Sequence, residues 1–291
     1  FVVLFSGCSA TKFVPDGGML LKSVKIKSES KSVDVNALQP YLSQHPNSKW
    51  FSMFKIPLGV YNMSGRDSTK WGNKVLRRLG EAPVVYDSLK TLKSCHDMTV
   101  AMRNMGYMQA VVDYDVTKKK RKALVTYRLS PGRKYTIDSV EYVVDDAAVA
   151  ALLNVDDAAS RGLRRGMDFS NANLENERKR ITQTLTDSGY FKFNRDFIHF
   201  VADSVGKDCK VDVELHLSQY RPNNNALPAP HRKYFINRIF YRGADSTGTH
   251  LRQRVLENNT ALREGEAYSA SALQRTYNNF ARLQAVRYTN I

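Results

Sequence analysis

Three cysteines and six histidines are the residues in this 291-residue chain best suited to nucleophilic or metal chemistry. Cys8, Cys95 and Cys209 lie far apart and form no CxxC pair, so the sequence indicates neither a zinc site nor a dithiol site. The histidines show no HxxxH or HExxH spacing, and His199 and His216, on adjacent predicted strands, are too few for a metal site. No nucleotide-binding or serine-hydrolase motif occurs. We therefore expect no metal, no cofactor and no enzymatic activity.

Cys8 differs from the other cysteines in what precedes it. An apolar run, Phe1–Phe5, is followed by Ser6-Gly7-Cys8, and this arrangement resembles the lipobox of bacterial lipoproteins. There the signal peptide is cut before the cysteine and the thiol is lipidated, so that buried methylenes, at ~0.8 kcal/mol each, tether the protein. The run is too short to span a bilayer. We expect Cys8 to anchor the chain to the outer membrane on its periplasmic face; the alternative is a buried strand ending in an ordinary cysteine.

The formal net charge of +16 predicts an acidic counterpart: nucleic acid, an anionic membrane surface or acidic clients. The densest basic run comprises Lys118, Lys119, Lys120, Arg121 and Lys122. These residues could contact anionic lipid headgroups, although such a run is also typical of a solvated hairpin tip. No signature of a known nucleic-acid-binding domain is present, so we expect no nucleic-acid partner.

Two stretches of the chain repeat each other at a constant offset of 99 residues. Gly132–Asp138 matches His231–Asn237, and Leu163–Ser170 matches Leu262–Ser269 almost position for position. The first stretch of each pair opens an alternating apolar pattern that predicts a strand. The second ends in a serine that can cap the helix that follows.

An earlier copy of the same unit precedes these two. Gly80–Tyr86 stands where the Leu-Arg-x-Gly motif stands later, and a helix is predicted from Asp87 to Met105. That helix ends at Gly106 as the middle one ends at Gly189, since glycine suits the left-handed conformation that stops a helix. Two alternating segments that predict a hairpin follow each of these helices.

The unit reads strand, helix, helix, strand, strand, which predicts an α+β fold of tandem modules. Each module is expected to hold a three-stranded mixed sheet packed against two helices. The first module also carries an aromatic-rich insertion, which we expect to pack on that module or on a partner. We expect the chain to be a fragment, since the third unit stops as its second strand begins. The predicted regions are, in order, a signal-peptide remnant and tether (1–18), a first module (19–131) with its insertion (47–80), a second module (132–221), a linker (222–230) and an incomplete third module (231–291).

A repeated β-α-α-β-β unit with Gly-Tyr-Phe after its second helix resembles the POTRA domain. The opening Cys8–Asp16 and the motif Gly80-Glu-Ala-Pro83 are similar to those of TamA-like lipoproteins of Bacteroidetes-type bacteria, within the wider TamA/BamA-like group of outer-membrane assembly proteins. The resemblance implies a periplasmic role in outer-membrane protein assembly. It also implies a C-terminal β-barrel as partner, unfolded outer-membrane proteins as clients and a further inner-membrane or periplasmic assembly partner. The alternative is a barrel-less periplasmic scaffold that binds one defined partner.

Open sheet edges are the candidate binding sites, because unpaired N–H and C=O groups can pair with any extended chain. The resemblance implies that the second strand of each module is such an edge, roughly Met108 to Val116 and Lys192 to Val201. The predicted client-binding residues are Met108, Ala110, Val112, Tyr114 and Val116 in the first module, and Lys192, Phe193, Arg195, Phe197 and His199 in the second. An ordinary edge shielded by charge and by neighbouring modules is the alternative.

Overall fold

The computed structural model describes residues 10–48, 56–204, 206, 208–221, 227–243 and 251–291. The chain divides into two compact units, 1–134 and 135–291, and each contains one three-stranded mixed sheet packed against helices. The predicted α+β class is therefore confirmed. No described helix has both the length and the apolar character that a membrane crossing requires.

The first unit holds a sheet with strand order β1-β3-β2. The outer strand β1 runs parallel to the central strand β3, and β2 forms an antiparallel hairpin with β3. Alternate side chains of β3 are buried, which gives this central strand one face toward the helices. Its elements are β1 (Leu20–Ser28), a 3-10 helix (Val35–Tyr41), α1 (Ile56–Met63), α2 (Trp71–Leu79), α3 (Ser88–Asn104), β2 (Val111–Lys119) and β3 (Lys122–Ser130).

The second unit repeats this topology with strand order β4-β6-β5. Strand β4 is parallel to β6 and β5 is antiparallel to it. The core lies between the sheet and helix α5, where Ile181 and Leu185 are fully buried. Its elements are β4 (Thr136–Val144), α4 (Ala147–Leu153), α5 (Asn171–Asp187), a 3-10 helix (Arg195–Phe197), β5 (Ile198–Asp203), β6 (Lys210–Leu217), α6 (Gln253–Asn259) and α7 (Ala270–Ala281).

The same pair of backbone hydrogen bonds opens all three repeats and confirms the repeat read from the sequence. In the first, the Leu21 N–H donates to the Val84 carbonyl (2.8 Å) and the Tyr86 N–H donates to the Met19 carbonyl (2.7 Å). These bonds hold the start of the first strand against the segment that leads into the long helix. The equivalent bonds are Ile137 to Met167 (2.8 Å) and Phe169 to Tyr135 (2.9 Å), then Ile236 to Glu266 (2.9 Å) and Tyr268 to Tyr234 (2.9 Å).

The predicted helix starts and stops are also found. Asp87, Ser170 and Ser269 each accept a hydrogen bond from an amide of the first turn, so each satisfies a donor that the helix itself cannot. Beyond the ends of α3 and α5, Gly106 and Gly189 adopt φ angles of 98° and 103°. A side chain would be strained in that left-handed conformation, which is why glycine stands there.

Two elements differ from the sequence-based prediction. The first of the two helices expected in the first module is a 3-10 helix, capped by Asp34 and with Pro40 inside it, because proline lacks the N–H that α-helical bonding requires. The strand expected to open in His231–Asn237 is reduced to a single bridge between Phe235 and Ala267. In the first two repeats this strand pairs with the last strand of its sheet, and residues 227–243 and 251–291 contain no such partner strand.

Candidate binding edges of the two sheets

The free edge of β2 can be read from its hairpin turn. Lys120 and Arg121 have φ angles of 47° and 56°, which is the two-residue turn that suits the twist of a β-hairpin. The flanking pair Lys119 and Lys122 is therefore hydrogen bonded, and hydrogen-bonded pairs alternate along the strand from there. Thr117 then points its backbone groups at β3, whereas the residue on either side of it points them outward.

The outward-facing backbone of β2 belongs to alternate residues, Val112, Tyr114, Val116 and Lys118. Three of these were predicted as client-binding residues from the sequence. Their side chains point to the helix-packed face of the sheet, where Val112 is buried and Tyr114 and Val116 are partly buried. Among the residues that the structure describes, β2 pairs only with β3. A row of unpaired donors and acceptors therefore runs along this side of the first sheet.

The edge of β5 follows from one bond. The Ser218 N–H donates to the Phe197 carbonyl (2.8 Å), and the register pairs His199 with His216 two residues further on. Because hydrogen-bonded pairs alternate, the backbone of His199 is engaged with β6, and the backbone of Ile198, Phe200 and Ala202 faces outward. The outward set in the second unit thus differs from the residues predicted there.

A side chain partly guards the β5 edge. The Arg178 guanidinium, on helix α5, donates from Nε to the outward carbonyl of Ile198 (3.1 Å). It also lies over the ring of Phe200, 5.1 Å from its centroid, and forms an ion pair with Glu175. Among the described residues, no side chain donates to the outward carbonyls of β2 in this way. The first sheet therefore offers the more accessible edge.

The predicted start of the first edge strand is wrong by three residues. Met108 and Ala110 precede β2, which begins at Val111. The Ala110 N–H donates to the Tyr107 carbonyl (3.0 Å), and Ala110 is fully buried. This tight turn follows because the chain must reverse directly after Gly106, so neither predicted residue belongs to the free edge.

The predicted second edge strand, Lys192 to Val201, also begins too early. Lys192 and Phe193 lie in a turn in which the Phe193 N–H donates to Tyr190 (2.9 Å), and Arg195–Phe197 is a 3-10 helix. Asn194 caps that helix by accepting from the Asp196 N–H (2.8 Å), which ends the extended conformation. Two phenylalanines of this predicted strand instead lie in an aromatic cluster: Phe193 and Phe197 pack on the His231 ring at 5.0 and 4.9 Å.

The Gly-Tyr-Phe sequence that marks the end of α5 also joins the second repeat to the third within the second unit. The Gly189 carbonyl accepts from the Tyr234 N–H (2.8 Å), and Phe191 packs edge-on between Tyr234 and Tyr268. Sequence reasoning gave these residues only a helix-stopping role. A local sequence pattern could not by itself reveal a partner more than 40 residues away.

Asp187 fixes the same joint. Its carboxylate accepts from the Ser269 hydroxyl (2.9 Å) and from the N–H and hydroxyl of Ser271 (both 2.7 Å). Partial burial alone would raise the pKa of Asp187, but the hydrogen bonds from Gln183, Ser271 and Ser269 outweigh it and hold the pKa below its ordinary value.

The basic hairpin tip is structural at one residue and solvent-facing at others. Arg121 donates to the carbonyls of Val14 (2.9 Å) and Pro15 (2.8 Å), so its guanidinium is occupied within the first unit. Lys118, Lys119 and Lys120 are exposed and Lys122 is half-buried. Contact of this run with an anionic surface stays a prediction. Cys8, the predicted lipidation site, lies outside the described residues.

The remaining candidates for chemistry are placed as follows. His199 and His216 stack with their rings 5.2 Å apart, and His216 contacts Glu214 (2.9 Å). Cys95 is partly buried, and burial, with the charge of Asp113, raises the pKa of its thiol to about 11, which disfavours a nucleophilic thiolate. Among the described residues, no group of three metal-binding side chains comes together.

Of three comparisons with known proteins, the comparison with solved structures returns similar chains. No protein-family model and no curated protein sequence matches the chain. Among solved structures, the chain is similar to the BamA POTRA3-5 fragment of Haemophilus influenzae, with 16% identity, 96% of this chain and 91% of that chain covered, and a TM-score of 0.45. It is also similar to POTRA1-3 of Omp85 from Anabaena, with 11% identity, coverage of 90% and 84%, and a TM-score of 0.31.

Proposed function

We propose that this chain is the periplasmic POTRA region of an outer-membrane protein assembly factor, which binds extended polypeptide by adding it as a strand to its sheet edges. The observation that carries the proposal is the β2 edge, where outward N–H and C=O groups recur at alternate residues from Val112 to Lys118. Main-chain hydrogen bonding does not depend on which side chains the client carries, so one edge can bind many unfolded clients. The role is binding rather than catalysis.

The rest of the proposal concerns the setting of these edges. Cys8 carries lipid and holds the chain at the periplasmic face of the outer membrane, and a β-barrel receives the clients. The lipobox-like sequence before Cys8 supports the lipid anchor. The repeated α+β topology supports such a role, because each of the two sheets presents its second strand at an edge.

Site-specific photo-crosslinking to an unfolded outer-membrane protein tests where clients bind. A photoreactive residue replaces Asp113, which is exposed on β2, or Lys90, which is exposed on helix α3 and away from the sheet edges. We expect crosslinks from position 113 and far fewer from position 90. Equal yields at both positions, or yields that a folded competitor removes but an unfolded one does not, would refute strand addition at β2. Mass spectrometry of the mature N-terminus tests lipidation of Cys8 separately.

A further inference from the structure

Helix α2 of the insertion turns its apolar side away from the protein. Trp71 is 81% exposed and Leu79 is 71% exposed, and none of its residues is buried. At 100° per residue, Trp71, Val75 and Leu79 form one stripe along the helix. A surface helix normally buries such a stripe against its own core.

Polar side chains of α2 hold it to the first unit instead. The Asn73 amide oxygen accepts from the Gly65 N–H (2.7 Å), and its NH₂ group donates to the Asp67 carbonyl (2.7 Å). The Arg77 guanidinium donates to the Gly65 carbonyl (2.9 Å) and lies over the Phe13 ring at 5.1 Å. The orientation of α2 is therefore fixed by these contacts, so the outward position of Trp71 is built in.

A basic stripe runs beside the apolar one. Lys70, Lys74 and Arg78 recur every four residues, and all three are exposed. Lys70 is the N-cap residue of α2, and Lys74 and Arg78 precede Val75 and Leu79 by one position each, so cations flank the apolar stripe on one side. Basic side chains beside tryptophan and leucine are typical of helices that lie in the interface of an anionic bilayer.

The position of the N-terminal segment agrees with a membrane beside α2. Lys12 donates to the carbonyls of Asn62 (3.1 Å) and Ser64 (2.7 Å), and Phe13 packs edge-on against Tyr61 at 5.4 Å. The first described residues thus lie on the insertion, and Cys8 is four residues before Lys12, a reach of at most ~14 Å of extended chain. A lipid on Cys8 would bring a bilayer close to this surface.

We propose that the outward face of α2, with Trp71 and Leu79 inserted and Lys70, Lys74 and Arg78 on the headgroups, docks on an anionic phospholipid bilayer. The inference rests on the anchoring part of the proposed function and deepens it, because a basic amphipathic surface beside the lipid anchor supplies a second, salt-sensitive contact with the bilayer. It places the first unit against the membrane rather than free on a tether.

The test uses the full chain with Cys8→Ser, so that no lipid is attached, and vesicles of phosphatidylcholine with or without phosphatidylglycerol. A Trp50→Phe background leaves Trp71 as the sole tryptophan, since the chain has two. We expect sedimentation with the anionic vesicles only, with a blue shift of Trp71 emission that high salt reverses.

Matched variants decide which surface binds. Each headgroup cation contributes about fivefold in binding, so Lys70→Gln, Lys74→Gln and Arg78→Gln together should weaken binding ~100-fold. The control removes three exposed cations elsewhere in the first unit, Lys25→Gln, Lys27→Gln and Lys31→Gln, and should change binding far less.

Several results would overturn the inference. These are absence of binding to anionic vesicles, unchanged Trp71 emission on binding, or equal losses in the two triple variants, which would indicate general charge attraction. All substituted cations are exposed or half-buried, and circular dichroism checks that each variant folds. Because the protein carries no lipid and no client is present, failure here is distinguishable from failure of lipidation or of strand addition.

Discussion

Proline at two neighbouring positions of β2 separates the fold from its open edge. Thr117 directs its N–H at β3, whereas Val116 directs its N–H outward. Thr117→Pro removes one backbone hydrogen bond between β2 and β3, worth about 1 kcal/mol. It also leaves the Leu124 carbonyl without a hydrogen-bond donor, at a further cost of ~1–3 kcal/mol. Val116→Pro leaves the ladder intact, because the N–H it removes has no partner in the sheet.

Thr117→Pro should therefore reduce mainly the stability of the fold, whereas Val116→Pro should reduce mainly the affinity for an extended peptide. In denaturant unfolding, Thr117→Pro should lower the free energy of unfolding by ~2 kcal/mol more than Val116→Pro does. In a binding assay with a peptide from an outer-membrane barrel strand, Val116→Pro should lose tenfold or more in affinity, about 1.4 kcal/mol, since both the donor and the room for a strand are lost. Val116→Ala keeps the outward N–H and measures the contribution of the side chain alone.

The reasoning would be refuted by a reversal of this pattern. If Val116→Pro unfolded as easily as Thr117→Pro, the register deduced from the hairpin turn would be wrong. If Val116→Pro folded normally and bound the peptide as well as Val116→Ala does, the β2 edge would not be the binding site.

Three further substitutions test neighbouring features. Arg178→Gln frees the outward carbonyl at the start of β5 and should increase peptide crosslinking to that strand, whereas unchanged crosslinking would show that the guard is irrelevant. Asp187→Asn should lower the melting temperature at neutral pH, and the difference from the unsubstituted protein should shrink as pH falls below 3.8: the pKa of this carboxylate is depressed below that value, so its stabilisation is present above 3.8 and is lost as pH falls through the folded-state pKa. A difference that stayed constant as the pH fell would contradict the assignment. Gly162→Ala should cost ~3 kcal/mol in denaturant unfolding, because the added methyl would overlap the Glu177 carboxylate, 1% exposed and held by an arginine and a tyrosine. Gly72→Ala, which meets nothing within 4 Å, should cause no such loss.

The sequence predicted the features that follow from local periodicity, namely the repeat, the helix caps and the hairpin. The offset of 99 residues is reproduced by equivalent backbone hydrogen bonds, and the serines that end each repeated motif cap helices. The hairpin at Lys120 and Arg121 was also placed correctly, since both strands that flank it alternate cleanly.

Other features depend on contacts that local periodicity does not encode. Phe193 and Phe197 lie within the predicted second edge strand, but a turn and a 3-10 helix place them in an aromatic cluster with His231. The choice between those structures depends on the Asn194 cap and on His231, which is more than 30 residues away. The guard at β5 likewise comes from Arg178, on a helix whose sequence gives no sign of it.

Which backbone groups of β2 face outward had no signature in the sequence either. Side-chain alternation separates two faces of a sheet, whereas the direction of each N–H depends on the register with the neighbouring strand. Lys118 was predicted as a lipid contact because it belongs to the basic run, and its outward backbone became visible only from the turn geometry.

Amide hydrogen exchange along β2, with and without an unfolded client, measures strand addition most directly. The amides of Val112, Tyr114 and Val116 should exchange quickly in the free protein and become protected on client binding. Those of Asp113, Asp115 and Thr117, which are bonded to β3, should be protected in both states. Protection that appears on the helices instead, or no change at the three outward amides while client is bound, would contradict strand addition at this edge.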